Sequence, residues 1–141
     1  MSGFLLDTNC ISEMVRPDAE PGVIEWLEAA DEEALYLSVL TIGEIRKGVA
    51  MVAHGKRRTR LETWLQLELP SRFEGRILPV EAAVADRWGR LAAQAKVSGK
   101  ALSIIDGLLA ATALHHNLTL VSRNSKDFSG THASVLNPWE V

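Results

Sequence analysis

The stretch 103-SIIDGLLAATALHHNLTLVS-122 decides the fold. Its first part, through His116, is apolar on nearly all sides, as a central, buried helix is and an amphipathic surface helix is not. "LTLVS" then reads as a short buried strand. A buried helix delivering the chain into such a strand is the repeating unit of a parallel α/β sheet. One residue does not belong in that apolar setting. Asp106 lies in the helix's first turn, where Ser103-x-x-Asp106 is a capping-box pattern and the helix dipole favours an acid. Alternatively, Asp106 is one of several carboxylates gathered around a metal ion.

Working outward, the same alternation recurs. "GFLLD" (3–7) is a short apolar run ending on an acid, and "TNCISEMVR" begins a helix that "PDAEPG" breaks. "GVIEWLEAA" has helical spacing, and "ALYLSV" (34–39) reads as a second strand. "TIGEIRKGVAMVAHG" carries Ile42, Ile45, Val49 and Val52 on one helical stripe. "KRRTRLETWLQLEL" continues as a helix expected to stop at Pro70, and "SRFEG" reads as a polar turn. "RILPV" is a third strand, "EAAVADRWGRLAAQAKVSG" an Ala-rich amphipathic helix, and "SVLNPW" a short fifth strand. With no repeat, low-complexity tract or linker, residues 1–141 are expected to form a single α/β domain around a mostly parallel sheet of four to five strands.

Composition agrees and excludes little. A chain of 141 residues buries roughly two-thirds of its unfolded surface, enough for a core without staples. The single cysteine, Cys10, rules out an internal disulfide framework and fits a reducing compartment. The N-terminus lacks a signal-peptide pattern and no apolar run is long enough to span a bilayer, so a cytoplasmic location is expected. The formal charge of −3 announces no basic field for nucleic acid. A cluster of catalytic acids would, however, itself make that balance negative.

Four acids then stand out. Asp7 ends the first strand. Glu44 is expected in the first turn of the helix after the second, where Thr41-x-x-Glu44 is again a capping-box pattern. Asp106 opens the apolar helix, and Asp127 follows the fourth strand. In a parallel sheet, strand ends and the helix starts that follow share one edge, where ligands bind. Carboxylates bunched there repel one another, and burial disfavours their charge. A hard divalent cation such as Mg²⁺ or Mn²⁺ offsets both effects, and it activates water and stabilises charge on a transferring phosphate.

"FLLDTNCISEM", "LSVLTIGEIRKGV", "SIIDGLLAATALHHNLTLVSRNSKDF" and the ending "VLNPW" resemble, in order and over nearly the whole chain, a PIN-domain ribonuclease of the VapC/FitB toxin type. The resemblance implies a three-layer α/β/α sandwich and Mg²⁺- or Mn²⁺-dependent endonucleolytic cleavage of RNA. It also implies a homodimer and a cognate VapB/FitA-like antitoxin. Matched by position, Asp7, Glu44 and Asp106 take the three best-defined acidic roles. Asn124 stands where some relatives carry Asp, so the fourth role falls to Asp127. Thr8, Asn9 and Ser122, with Asn124, are the implied supporting residues. Gly107 stands where Ala is common.

Other features have plainer readings. Lys56, Arg57, Arg58 and Arg60 are either a solvated helix start or a phosphate-contacting patch for RNA. His115 and His116 adjoin at a helix end without further ligands at metal spacing. Cys10 reads as packed, and Trp26, Trp64 and Trp88 as core or interface residues. Arg87 and Arg90 share one long helix and are weaker candidates for substrate contact. Ser98-Gly99-Lys100 resembles the tail of a P-loop, but the leading glycine and preceding strand are missing. An acyl-phosphate enzyme built on Asp7 is disfavoured because Asn9 stands where such phosphatases place a second Asp. A non-catalytic binding module is disfavoured by the presence of Asp7, Glu44 and Asp106.

Overall fold

The computed structural model describes residues 3–140; Met1 and Ser2, on which the reading of the N-terminus partly rests, lie outside them, as does Val141. Five short strands form one sheet in the order β3-β2-β1-β4-β5: β1 (Gly3–Leu6), β2 (Leu35–Ser38), β3 (Ile77–Leu78), β4 (Leu118–Val121) and β5 (Val135–Leu136). Every pairing is parallel; Phe4 lies opposite both Leu35 and Thr119. Helices α1 (Thr8–Glu13), α2 (Pro21–Ala29), α3 (Val39–Ala50), α4 (Lys56–Thr63), α5 (Leu69–Arg72), α6 (Ala82–Val97) and α7 (Ile104–His115) make the connections.

Successive strand residues point to opposite faces, so a sheet covered on both sides needs apolar residues at consecutive positions. The leucine pair in β1 satisfies this. Leu6 packs with Cys10, Val23, Leu35, Leu37 and Phe73 on the face covered by α1 to α5. Leu5 packs with Leu91, Leu109, Leu120 and Phe128 on the face covered by α6 and α7. In β4, Leu120 and Val121 divide in the same way. Burying each such side chain stabilises the fold by about 1.5–3 kcal/mol. The result is the expected three-layer α/β/α sandwich, with α7 buried along Gly107 and Leu109–Ala113. Among the described residues no helix is long and apolar enough to cross a membrane.

Three local expectations are corrected. Pro70 does not stop the helix. The chain widens into a π-turn over Trp64–Glu68, where the Leu69 N–H donates to the Trp64 carbonyl, and α5 continues with Pro70 in its first turn. Proline lacks an N–H and its ring crowds the carbonyl four residues back. The wider turn accommodates that, and it keeps both Leu65 and Leu69 buried. The segment "SRFEG" is not simply a polar turn. Phe73 is fully buried beneath the guanidinium groups of Arg72 and Arg76, 5.4 and 5.2 Å from its ring centre. Finally, Thr41 does not cap α3. Ser38 does, its hydroxyl accepting from the Leu40 N–H at 3.0 Å, which places Glu44 in the second turn. Thr41 is fully buried inside the helix, and its hydroxyl has no partner among the described residues.

Candidate active site

Asp7 anchors the site. It leaves β1 with its N–H still on the sheet ladder, donating to the Val121 carbonyl at 2.9 Å, and becomes the N-cap of α1. Only 7% of it is exposed. One carboxylate oxygen accepts from the Thr8 N–H at 2.8 Å, and the other from the Ser122 hydroxyl at 2.7 Å. The Thr8 hydroxyl donates to Glu44 at 2.5 Å. Thr8 thus ties two of the acids together, using its backbone for one and its side chain for the other.

Ser122, at the end of β4, is fully buried and has further partners: the Asn124 N–H at 3.1 Å and the Asn9 amide at 3.4 Å. The Asn9 carbonyl accepts from the Arg123 N–H at 3.3 Å. Thr8, Asn9, Ser122 and Asn124 therefore form one hydrogen-bonded frame joining the ends of β1 and β4. The bonds that close it, Ser122 to Asp7, Asn9 to Ser122 and Arg123 to Asn9, each span more than 100 positions, which is why spacing along the chain does not reveal the frame.

Asp106 lies in the first turn of α7. Its N–H donates to the Ser103 hydroxyl at 3.1 Å, so this cap forms as the sequence suggests. Asp127 sits in a short 3-10 turn, Ser125–Phe128, directly after β4.

Burial pushes the Asp7 carboxyl above its ordinary value; the charges of Glu44 and Asp127 push the same way, against the Ser122 and Thr8 hydrogen bonds. Asp106 is also raised, by burial first and then by the charges of Asp7 and Asp127, against Ser103. Asp7 thus feels the charges of Glu44 and Asp127, and Asp106 those of Asp7 and Asp127. Among the described residues, though, no three His, Cys, Asp or Glu side chains are grouped tightly enough to enclose an ion by themselves. Like charges stand apart, and a cation among them would need water and phosphate oxygens to complete its shell. The donor set suits that arrangement. It is all hard carboxylate oxygen, and Asp7 spends only two of about four lone-pair positions on protein donors.

The remaining candidates are placed elsewhere. Lys56, Arg57 and Arg60 are exposed on α4, whereas Arg58 turns back to the Val52 carbonyl at 3.3 Å and toward Glu62 at 3.8 Å. None of the four hydrogen-bonds to a site acid. Arg87 and Arg90 share a cleft with His115, at the end of α7 remote from Asp106. Cys10 is fully buried with its thiol against the Val121 carbonyl at 3.2 Å, and burial pushes its ionisation far up, so it is no nucleophile.

Two features escaped sequence reasoning. Glu13 is a buried carboxylate outside the acid cluster, receiving the Glu20 N–H at 2.8 Å and Arg16 at 3.2 Å, and it fixes the turn into α2. Gly107 admits the Trp88 ring: a Cβ there would lie 2.7 Å from the indole. No sequence signal announces the Glu13 contacts; at position 107, glycine where Ala is common signals a close approach without naming Trp88 as the partner.

The sequence model of the PIN domain matches residues 4–132. The chain belongs to the PIN-domain family. Its relatives include the toxin FitB of Neisseria gonorrhoeae, 40% identical over 136 residues that cover 96% of this chain and 98% of FitB. The VapC ribonuclease Y4jK of Sinorhizobium fredii is 38% identical over 137 residues, covering 97% and 98%. Among solved structures, FitAcB from Neisseria gonorrhoeae superposes with a TM-score of 0.93 at 39% identity, over 98% of this chain and 99% of that one. The PIN-domain sheet and both helical layers are thus shared along their whole length.

Proposed function

We propose that this PIN-domain protein is a divalent-metal-dependent endoribonuclease, the toxin of a toxin–antitoxin pair. One observation carries the reading: the buried Asp7, raised by burial and by neighbouring carboxylates, stands at a sheet edge where Asp106 and Asp127 also converge and Glu44 is held by Thr8. Placing such groups together destabilises a fold, which is expected only where they serve chemistry. The similarity to a toxin and to a ribonuclease supports the same reading.

Asp7, Asp106 and Asp127 are the carboxylates that would hold Mg²⁺ or Mn²⁺. When bound, such an ion lowers the pKa of water and neutralises charge on a phosphodiester. Glu44, fixed by the Thr8 hydroxyl, orients the attacking water and takes its proton. Water oxygen bonds to phosphorus in line as the bond to the 3′-oxygen breaks. That oxygen takes a proton from solvent water and leaves as a 3′-hydroxyl, and the other fragment keeps a 5′-phosphate. The 2′-hydroxyl takes no part. Ser122, Asn9 and the Asn124 backbone hold Asp7 in register. The exposed cations Lys56, Arg57 and Arg60 are offered as outlying phosphate contacts. A homodimer, a FitA- or VapB-like antitoxin partner and a cytoplasmic location complete the proposal.

The test is incubation of a mixed RNA pool with antitoxin-free protein, with and without Mg²⁺ or Mn²⁺, beside Asp7→Asn. Metal-dependent cleavage lost in the variant, leaving 5′-phosphate ends, is expected. Products ending in 2′,3′-cyclic phosphate, or equal cleavage by the variant, would overturn the mechanism.

A further inference from the structure

A cleft of about 570 Å³ opens between the end of α6 and the loop following the 3-10 turn, with Gln94, Ser98, Lys100, Leu102, Ser129 and His132 among its lining residues. Both walls run directly into the acid site. Leu102 precedes Ser103, which caps α7 and bonds the Asp106 N–H; Ser129 follows Asp127 by two residues. The cleft is therefore joined to the site through both segments that carry acids there.

Its chemistry is the opposite of the site's. The Asp7 and Glu44 carboxylates accept from the Thr8 N–H, the Thr8 hydroxyl and the Ser122 hydroxyl, and among the described residues no lysine or arginine side chain donates to a site acid. A polyanion approaching four carboxylates needs a cation nearby. Lys100 is such a cation. Among the described residues it has no carboxylate within ion-pair distance.

The backbone fixes where Lys100 stands. The Lys100 N–H donates to the Ala95 carbonyl at 2.8 Å and the Gly99 N–H to Lys96 at 3.2 Å, with Gly99 at φ +70°. This is a Schellman closure of α6, and it accounts for the Ser98-Gly99-Lys100 run without a P-loop. The Lys100 stem then lies across Gly130 (φ +82°), where a Cβ would stand 2.9 Å from Nζ and 3.1 Å from Cδ. On the same loop His132 holds a left-handed φ of +67° and is among the residues that line the cleft. A cation, an aromatic ring, hydroxyls and the apolar Leu102 match the parts of a single-stranded nucleotide: phosphate, base and sugar.

We propose that this cleft seats a nucleotide of the RNA substrate adjoining the scissile phosphodiester, with the Lys100 ammonium on its phosphate and His132 beside its base. The proposal rests on the ribonuclease reading above. It is tested in the Asp7→Asn background, which binds RNA without cutting it, by fluorescence anisotropy with short single-stranded RNA across a salt series. Lys100→Ala is expected to weaken binding about fivefold and to flatten the slope of log affinity against log salt by about 0.7, the share of one phosphate contact. Lys100→Arg is expected to retain both. Lys96→Ala removes the same charge from an exposed position outside the cleft and is expected to change neither. Unchanged binding by Lys100→Ala, loss in Lys100→Arg equal to that in Lys100→Ala, or an equal loss in Lys96→Ala, would overturn the cleft while leaving the nuclease intact. Absence of RNA binding here together with absence of cleavage by the native chain would overturn the ribonuclease reading, and the cleft with it.

Discussion

Asp7→Asn is expected to abolish cleavage while making the metal-free protein more stable at neutral pH. Asp7 is almost wholly buried, and burial together with the charges of Glu44 and Asp127 raises its ionisation above the unfolded value. A group raised on folding contributes stability fully below its unfolded pKa, and that contribution is lost as pH rises through the folded pKa. At pH 7 the ionised carboxylate therefore weakens the fold relative to a neutral isostere. Asparagine has the same shape and, as an N-cap, matches Asp, with its carbonyl accepting the Thr8 N–H. Its amide then faces a Ser122 hydroxyl that already accepts from the Asn124 N–H and the Asn9 amide, so the bond to Ser122 is lost and offsets part of what removing the charge gains. A gain of about 1 kcal/mol is typical of relieving strain at an active site. For a chain of this size that corresponds to about 3–4 °C in melting temperature. At about pH 3.5, where unfolded Asp is itself largely protonated, the gain should close. Saturating Mg²⁺ or Mn²⁺ at a hundredfold excess over Kd stabilises the native chain by about 2.7 kcal/mol, which reverses the order of the two proteins. Circular-dichroism melts at both pH values, with chelator and with metal, read all of this. A variant less stable than the native chain at pH 7 in chelator, by a margin that shrinks toward pH 3.5, would show Asp7 to be an ordinary helix cap favoured in its charged form.

Thr41→Val replaces a buried, unpartnered hydroxyl with a methyl group, and urea unfolding should show it to be stabilising by about 1 kcal/mol; a loss of that size would mean that the hydroxyl is bonded in solution. Ser122→Ala removes the donor to Asp7 that holds its carboxyl down. The acidic limb of the cleavage profile should move to higher pH and stability should fall by about 1–2 kcal/mol, and an unmoved limb would detach Asp7 from that limb. Gly107→Ala drives a methyl group to 2.7 Å from the Trp88 indole. It should cost about 1–3 kcal/mol by overpacking, much of it recovered in a double variant with Trp88→Leu; additive losses in that cycle would refute the contact.

What was legible in the chain was what local pattern controls. Consecutive leucines in β1, an all-round apolar α7 and acids at strand ends or helix starts are enough to give a parallel sheet with one acidic edge. Choices among equivalent local signals were not legible. Ser38 and Thr41 both suit an N-cap, and only the pairing of β2 with its neighbours determines where the strand ends and which of the two is left to cap α3. Pro70 reads as a stop because sequence does not show that the turn before it can widen while Leu65 and Leu69 stay in the core. Phe73 looks like part of a turn until Arg72 and Arg76 close over it. The frame around Asp7 joins residues from opposite ends of the chain, and Trp88 meets Gly107 across two helices. Such contacts belong to the packed fold, not to any window of sequence.

The two readings of Asp106 that the sequence leaves open are compatible, for a reason visible at the atomic level. The cap bond uses the Asp106 backbone N–H, received by the Ser103 hydroxyl. The cap thereby fixes the residue in the first turn and leaves most of the carboxylate's lone pairs free. Asp7 divides its duties differently: its side chain caps α1 and receives Ser122, yet lone pairs remain on both oxygens. In each case capping fixes an acid where a strand ends or a following helix starts, so the local rule that makes an acid ordinary at a helix start is compatible with a site at the carboxyl ends of the strands. The raised ionisation of both is the part that capping leaves unexplained, since an N-cap acid alone is favoured in its charged form. Burial is the largest cause of that upward push in both, and the charges of neighbouring carboxylates add to it.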